Sequence, residues 1–346
     1  MNSISSLVRD NIRKLKPYSS ARSEFSGRGE VFLDANENPY ETGLNRYPDP
    51  LQHALKERIA ALKQVQPGQI FLGNGSDEVI DLAIRIFCDP QTDHIITLPP
   101  TYGMYQVGAA IADVKVLEIQ LNSDFQPNVE AILNAANAHS KLLFLCHPNN
   151  PTGNLMAPSA IEALLNGFPG IVVIDEAYID FAPEHSTLKY LDQYPNMIVM
   201  QTLSKAWGLA AIRLGMAFAS TEIIEYYNKV KPPYNINILT QETALQELSQ
   251  EAQKANWVQA LIASRARLVA ALSELPMIEK VFPSDTNFIL VRVNNPKDLY
   301  QYLLQQGIIV RDRSTVVLCE GTLRISIGTE TENQQLIQAL KQYPES

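Results

Sequence analysis

The 346-residue sequence predicts an α/β fold: a large domain whose mostly parallel sheet is covered by helices, followed by a small α+β domain. Three observations predict it. Between about residues 70 and 220, short apolar runs alternate with segments whose apolar residues recur at helical spacing. The apolar runs are nearly continuous, as strands buried on both faces require. Shorter strand and helix patterns resume after a strand-free stretch from about 241 to 275. The length also exceeds what one core usually serves.

The elements follow in order. The first 30 residues are polar and read as an arm or short helix joining the small domain. After a turn at Pro67-Gly68, FLGNGSDE leads into EVIDLAIRIF, an amphipathic helix. HIITL (94–98) is a strand, PPTYGMY a loop, and VKVLEIQL (114–121) a strand. VEAILNAAN is a helix, KLLFLCH (141–147) a buried strand, PNNPTGN a loop and SAIEALLNGF a helix. GIVVIDE (170–176), MIVMQ (197–201) and MAFAS (216–220) are further strands. QETALQELSQEAQKANWVQALIASRARLVAAL reads as one long helix or a broken one. TNFILVRV, PKDLYQYLLQQ, GIIVR and LRISIG then supply strand, helix, strand and strand. The domains are expected at 31–245 and 246–346. No internal repeat or low-complexity tract is present.

Composition narrows the function. The chain is 46% hydrophobic and 19% charged, which favours neither disorder nor a membrane protein. No apolar run spans a bilayer and no signal segment opens the chain, so a cytoplasmic protein is expected. A formal net charge of -9 argues against a general nucleic-acid binder but allows a local basic pocket. The three cysteines, Cys88, Cys146 and Cys319, are far apart and read as buried hydrophobes. The five histidines show no ligand spacing, and no metal is expected.

Ligands of open α/β sheets sit beyond the carboxyl ends of the strands, and four loops that should meet there carry distinctive residues. GNGSDE (73–78) is a glycine-rich turn opening a helix, suited to phosphate by its free N–H groups and dipole, or equally to ordinary capping by Ser76 or Asp77. PNNPTG (148–153) is a tight loop from which Asn150 can project a donor. DEAY (175–178) ends a buried strand, where Asp175 calls for a cationic partner; Tyr178 lies three residues on. A metal-binding aspartate is the competing reading, but no phosphate-loop lysine motif accompanies it. QTLSKAWGLAAIRLG (201–215) holds an isolated lysine, Lys205, between Ser204 and Arg213. A desolvated amine loses its proton more readily and becomes a nucleophile toward carbonyls. A phosphate cradle, an asparagine, a buried aspartate with a tyrosine, and a lysine flanked by phosphate ligands together match pyridoxal 5'-phosphate, which a lysine holds as a Schiff base opposite an aspartate.

The sequence resembles the fold-type I, pyridoxal-phosphate-dependent aminotransferases of the histidinol-phosphate aminotransferase group. The resemblance runs from LKPYSSAR and LDANENPY through NRYPDP, GNGSDE, PTYGMY, PNNPTG, DEAYIDF and TLSKAWGLAAIRLG to GIIVRDR and LRISIG. It implies that Lys205 links the cofactor, Asp175 pairs with its pyridine nitrogen, and Asn150 and Tyr178 bond its phenolate oxygen. Tyr102 would stack on the ring. Gly75, Ser76, Asp77, Ser204 and Arg213 would surround the phosphate, Asp77 through its backbone amide. A homodimer with shared sites is implied, Tyr47 reaching the partner's phosphate site. Arg311 and Arg324 resemble the substrate's anion-binding pair, and Tyr18 and Asn36 lie in substrate-facing segments. Arg313, between the pair, is expected to meet the usual fate of an arginine in a surface ion pair.

The implied reaction moves the amino group of L-histidinol phosphate to 2-oxoglutarate, giving imidazole acetol phosphate and glutamate. An aromatic or broad-range aminotransferase and a threonine-phosphate decarboxylase are the alternatives on the same scaffold.

Overall fold

A computed structural model of the chain describes residues 3–17 and 31–344. Two short helices open the chain, α1 (Ile4–Leu7) and α2 (Asp10–Lys14), followed by α3 (His53–Lys63). The large sheet draws on β1 (Ile70–Asn74), β2 (His94–Thr97), β3 (Lys115–Glu118), β4 (Ser140–Cys146), β5 (Ile171–Asp175), β6 (Met197–Thr202) and β7 (Leu214–Ala219). Between these strands lie α4 (Gly75–Phe87), α5 (Met104–Ile111), α6 (Val129–Ala135) and α7 (Pro158–Gly167). The strand order is β1-β7-β6-β5-β4-β2-β3. The pairs from β6 through β5, β4 and β2 to β3 are parallel; β7 runs antiparallel to both β6 and β1.

The near-continuous apolar strands have a direct cause. In β4, Leu142 and Phe144 face one core while Leu143 and Leu145 face the other, and β5 divides Ile171 and Val173 from Val172 and Ile174 in the same way. Successive strand side chains point to opposite faces, and both faces here are covered.

After α8 (Thr221–Val230), the strand-free stretch is two helices, α9 (Ile238–Glu247) and α10 (Glu251–Ser273), so the break falls at residues 248–250. A second sheet, all antiparallel, orders β10 (Arg311–Asp312), β11 (Thr322–Ser326), β9 (Phe288–Val293) and β8 (Ile278–Val281). Its core joins α10, α11 (Pro296–Gln305) and α12 (Glu330–Lys341) through Leu268, Leu303, Leu336 and Leu340.

Residues 3–17 differ from the expectation that the arm joins the small domain. Ile4, Leu7, Val8 and Ile12 are buried in the same core as Phe71, Ile84 and Tyr227, beside the large sheet. Arg9 fixes them there through Asp89, 2.9 Å away. Among the described residues, no helix is long and apolar enough to cross a membrane.

Candidate active site

The parallel strands β4, β5 and β6 end side by side at Cys146, Asp175 and Thr202, and the loops that follow them surround one cavity of about 370 Å³. Its walls include Ser76, Asp77, Tyr102, Asn150, Asp175, Tyr178, Ser204, Lys205, Arg213, Arg311 and Arg324, all anticipated from sequence. They also include Cys146, Ala177, Thr202 and Arg313.

At one end the backbone is shaped around a glycine pair. Gly75 takes a φ of +73° and its N–H donates to the Arg213 carbonyl at 2.7 Å. A Cβ on Gly75 would stand 2.5 Å from Arg213 Nη2, and one on Gly215 would stand 2.2 Å from the Ser76 nitrogen. The Gly215 contact is with backbone and leaves no room for a side chain, while Gly75 is called for by its positive φ, so glycine lets β7 close against the start of α4. The Asn74 side chain does not cap α4. The first-turn N–H groups therefore have no side-chain acceptor from the cap position and, with the helix dipole, are suited to an anion. Arg213 Nη2 lies 3.5 Å from Asp77 Oδ2, a long contact that leaves the guanidinium available. The Asp77 carboxylate also accepts from the Tyr102 hydroxyl at 3.2 Å.

Asp175 is the most buried charged residue lining the cavity, 3% exposed. Its Oδ2 accepts from the Tyr105 hydroxyl at 2.6 Å and its Oδ1 from the Ala177 N–H at 3.1 Å. Burial pushes its carboxyl above the ordinary value, opposed by the Tyr105 and Ala177 bonds and the charge of Lys205. A carboxylate in that position gains most from a cation arriving next to it. Tyr105 is itself fully buried and stacked on Phe144, with ring centres 4.5 Å apart. It is a site residue that sequence reasoning missed.

Lys205 opens into the cavity, with Nζ 5.6 Å from the centre of the Tyr178 ring. Its amine is held below the ordinary lysine value, first by burial and then by the charge of Arg324, with Asp175 pulling the other way. Asn150 connects two parts of the site: its Nδ2 donates to the Tyr178 hydroxyl at 3.3 Å, and its Oδ1 accepts from Arg324 Nη1 at 2.6 Å. The Thr202 hydroxyl, also missed, donates to Ser204 Oγ at 3.0 Å and accepts from the Ser204 N–H, fixing the turn that leads into Lys205.

The small sheet contributes the arginines. Arg311 and Arg324 are directly opposite in the β10–β11 ladder, so their side chains share a face. Arg324 also lies over the Phe288 ring, 5.2 Å from its centre. Arg313 corrects the sequence expectation. It is half-buried in the cavity wall, and among the described residues it has no carboxylate within ion-pair distance. The alternation in Arg311-Asp312-Arg313 was the available signal, since side chains two apart along a strand share a face.

Some anticipated residues lie elsewhere. Gly75 backs the cavity without lining it. Tyr47 is half-exposed and stacks on Tyr234, with ring centres 4.4 Å apart and planes 14° apart, outside the cavity. Asn36, with a φ of +54°, also stands outside its walls. Tyr18 lies outside the described residues.

The profile of the family described as aminotransferase class I and II matches residues 30–340. A histidinol-phosphate aminotransferase from Cytophaga hutchinsonii is 53% identical over 345 residues, covering 99% of each chain. One from Parabacteroides distasonis is 53% identical over 341 residues, again covering 99% of each. Among solved structures, the histidinol-phosphate aminotransferase from Clostridium acetobutylicum is similar with a TM-score of 0.80 and 25% identity, over 86% of this chain and 90% of that one.

Proposed function

The chain belongs to the class I and II aminotransferase family, and we propose on that premise that it transfers the amino group of L-histidinol phosphate to 2-oxoglutarate. The products are imidazole acetol phosphate and glutamate, a step of histidine biosynthesis. Curated relatives 53% identical over nearly the whole chain carry that activity in their names. The observation that carries the reading is one cavity holding an amine of depressed basicity, a fully buried carboxylate and opposed arginines.

The residues fit pyridoxal 5'-phosphate. The uncapped start of α4, the Gly75 and Gly215 clearances, Ser204 and Arg213 suit its phosphate. Asp175 suits its ring nitrogen, Asn150 and Tyr178 its phenolate oxygen, and Tyr102 a ring face. When bound, the cofactor supplies an imine-forming carbonyl and an electron-withdrawing ring that takes up the charge left by proton removal.

The chain's own groups do the rest. Lys205 Nζ, its proton held loosely, is the group for covalent attachment. With its amine free, it would be the base that accepts the proton from the substrate's α-carbon and later returns it. Positioned proton transfer of this kind contributes about 10²–10⁴-fold. Asp175, kept in place by Tyr105 and the Ala177 N–H, stabilises positive charge at the floor of the site. Arg311 and Arg324 orient the substrate's anion, the phosphate of histidinol phosphate in one half-reaction and a carboxylate of glutamate in the other.

In this reading the enzyme is a cytoplasmic homodimer. A large domain at 31–245 carries the cofactor and a small one at 246–346 carries the arginines. Tyr47 completes the partner's phosphate site, and Asn36 faces substrate. Steady-state assays with histidinol phosphate, phenylalanine and tyrosine, with CO₂ release from threonine phosphate measured alongside, test the substrate assignment. The highest kcat/KM is expected for histidinol phosphate. A higher value for an aromatic amino acid, or CO₂ release from threonine phosphate, contradicts it.

A further inference from the structure

We propose that Arg313 is a third anion-binding residue of the substrate site and sets its preference for a phosphate dianion over a single carboxylate. The inference rests on the reading that this cavity takes a phosphorylated amine. It starts from the ladder: Arg311 faces Arg324 across β10–β11, and the pairing continues one step further, where the Arg313 N–H donates to the Thr322 carbonyl at 3.0 Å. Arg311 and Arg313 therefore alternate onto one face and Asp312 onto the other. All three guanidinium-bearing residues line the same cavity.

Among the described residues no carboxylate forms an ion pair with Arg313. Asp312 accepts from the Ser314 N–H at 2.7 Å, and Glu118, which lines an adjoining 220 Å³ cavity with Arg313, accepts from Gln106. Arg313 Nε is buried and, among the described residues, has no hydrogen-bond partner, and neither has Ser314 Oγ in the same turn. A buried donor without an acceptor is unfavourable and calls for a ligand or water. Burial, then the charges of Arg324 and Arg311, lower the Arg313 guanidinium from its ordinary value.

Charge balance gives the ligand's class. Five cationic residues line the cavity, Lys205, Arg213, Arg311, Arg313 and Arg324, against two carboxylates, Asp77 and Asp175. Arg213 stands with Asp77 at the α4 end, so the three remaining arginines form a separate cationic group. Two opposed arginines suffice for a carboxylate; a third, unpartnered one matches the extra charge and third oxygen of a phosphate monoester near neutral pH.

The test uses the pyridoxal-phosphate-loaded enzyme with Arg313→Gln and Arg313→Lys. Calorimetry with inorganic phosphate reads binding without turnover. Losing one charge-assisted contact is expected to weaken phosphate by about tenfold or more in Arg313→Gln, with Arg313→Lys between it and wild type. The ratio of kcat/KM for histidinol phosphate to that for glutamate is expected to fall by a similar factor, mainly through KM. Unchanged phosphate affinity, no phosphate binding by wild type, or an unchanged ratio overturns the proposal. If wild type does not turn over histidinol phosphate, the substrate reading fails instead, and the phosphate titration still decides the role of Arg313.

Discussion

Asp175 shows how one residue is prepared for its task. Its position at the end of a buried strand was legible from GIVVIDE, because a carboxylate there needs a compensating charge. Its immediate support was not. Tyr105 reaches it from α5, 70 residues earlier in the chain, and only the fold joins them. Arg313 was misread for a related reason: the strand itself covers only Arg311–Asp312, so the alternation that carries Arg313 onto the face of Arg311 runs past its end. Lys205, Asn150, Ser204 and Arg213 were legible because their loops follow strands of one sheet and were read together, each alone being open to an ordinary structural role. Asp175→Asn is expected to keep the fold and cofactor attachment at Lys205 but to lose most of the rate, by about two orders of magnitude or more, since an amide cannot stabilise a positive charge as a carboxylate does. Single-turnover kinetics at saturating cofactor check it, and a rate equal to wild type contradicts the role.

At the scale of elements, the strands buried on both faces were the easiest to see. Continuous apolar runs mark β4, β5 and β6, and their short length, flanking turns and β-branched or aromatic residues, rather than periodicity, identify them as strands. β8 was missed because its sequence, IEKV, is largely exposed and lacks an apolar run. PPTYGMY was expected to be a loop, yet α5 starts at Met104 within it, where two prolines and a glycine obscure the first turn. α12 carried a signal that went unused: Thr329 and Glu332 form a reciprocal capping box ahead of the helix. The contact between β7 and α4 yields a prediction. Gly215→Ala places a methyl 2.2 Å from the Ser76 nitrogen, so the backbone of the cradle must move. Cofactor affinity is expected to fall by about tenfold or more while Lys205 remains able to attach it, as equilibrium dialysis would show; wild-type affinity would mean the α4 start is not the phosphate site.

A second element-scale prediction concerns α3 and the end of α8. Lys56 and Lys231 are both buried, and each amine is lowered from 10.5 to about 8. Burial is the main cause in both; Lys231 also lowers Lys56, while Asp49 raises both and Glu78 raises Lys231. Lys231 Nζ donates to the carbonyls of Pro50 and Pro233, 2.7 and 2.8 Å away, which ties together the segments beside the Tyr47–Tyr234 stack. Below about pH 8 both amines are protonated in folded and unfolded chains alike, and the folded chain bears the cost. Between about 8 and 10.5 the folded chain releases protons that the unfolded chain keeps, so this contribution to stability rises with pH. Lys56→Met is expected to stabilise the protein by about 1–3 kcal/mol at neutral pH, and the gain should shrink toward pH 10.5. Denaturant titrations of the two proteins across that range check it; parallel stability curves would contradict it.

At the scale of the whole molecule, the site is assembled from both sheets. β4 to β6 and α4 bring the residues suited to the cofactor, and β10 and β11 bring the arginines. The family resemblance read from PNNPTG, DEAY and SKAWGLAAIRLG agrees with the family profile and the full-length relatives. The division at residue 245 and the shared dimer site remain proposals. Tyr47 tests the second, because it stands outside the cavity of its own chain. Tyr47→Phe is expected to weaken cofactor retention. In heterodimers of Tyr47→Phe with Lys205→Ala subunits, the site with intact Lys205 receives Tyr47 from the other chain and should bind cofactor like wild type. Failure to recover would place Tyr47 in its own subunit's site or away from the phosphate.

The most direct measurement for the central claim is a single half-reaction. Enzyme loaded with pyridoxal phosphate is mixed with L-histidinol phosphate in the absence of any 2-oxoacid, and keto product and aminated cofactor are quantified together. The account predicts one equivalent of imidazole acetol phosphate and one of pyridoxamine phosphate per site, neither of them in Lys205→Ala. Cofactor that remains unaminated in the wild-type enzyme, with no keto product, would contradict it.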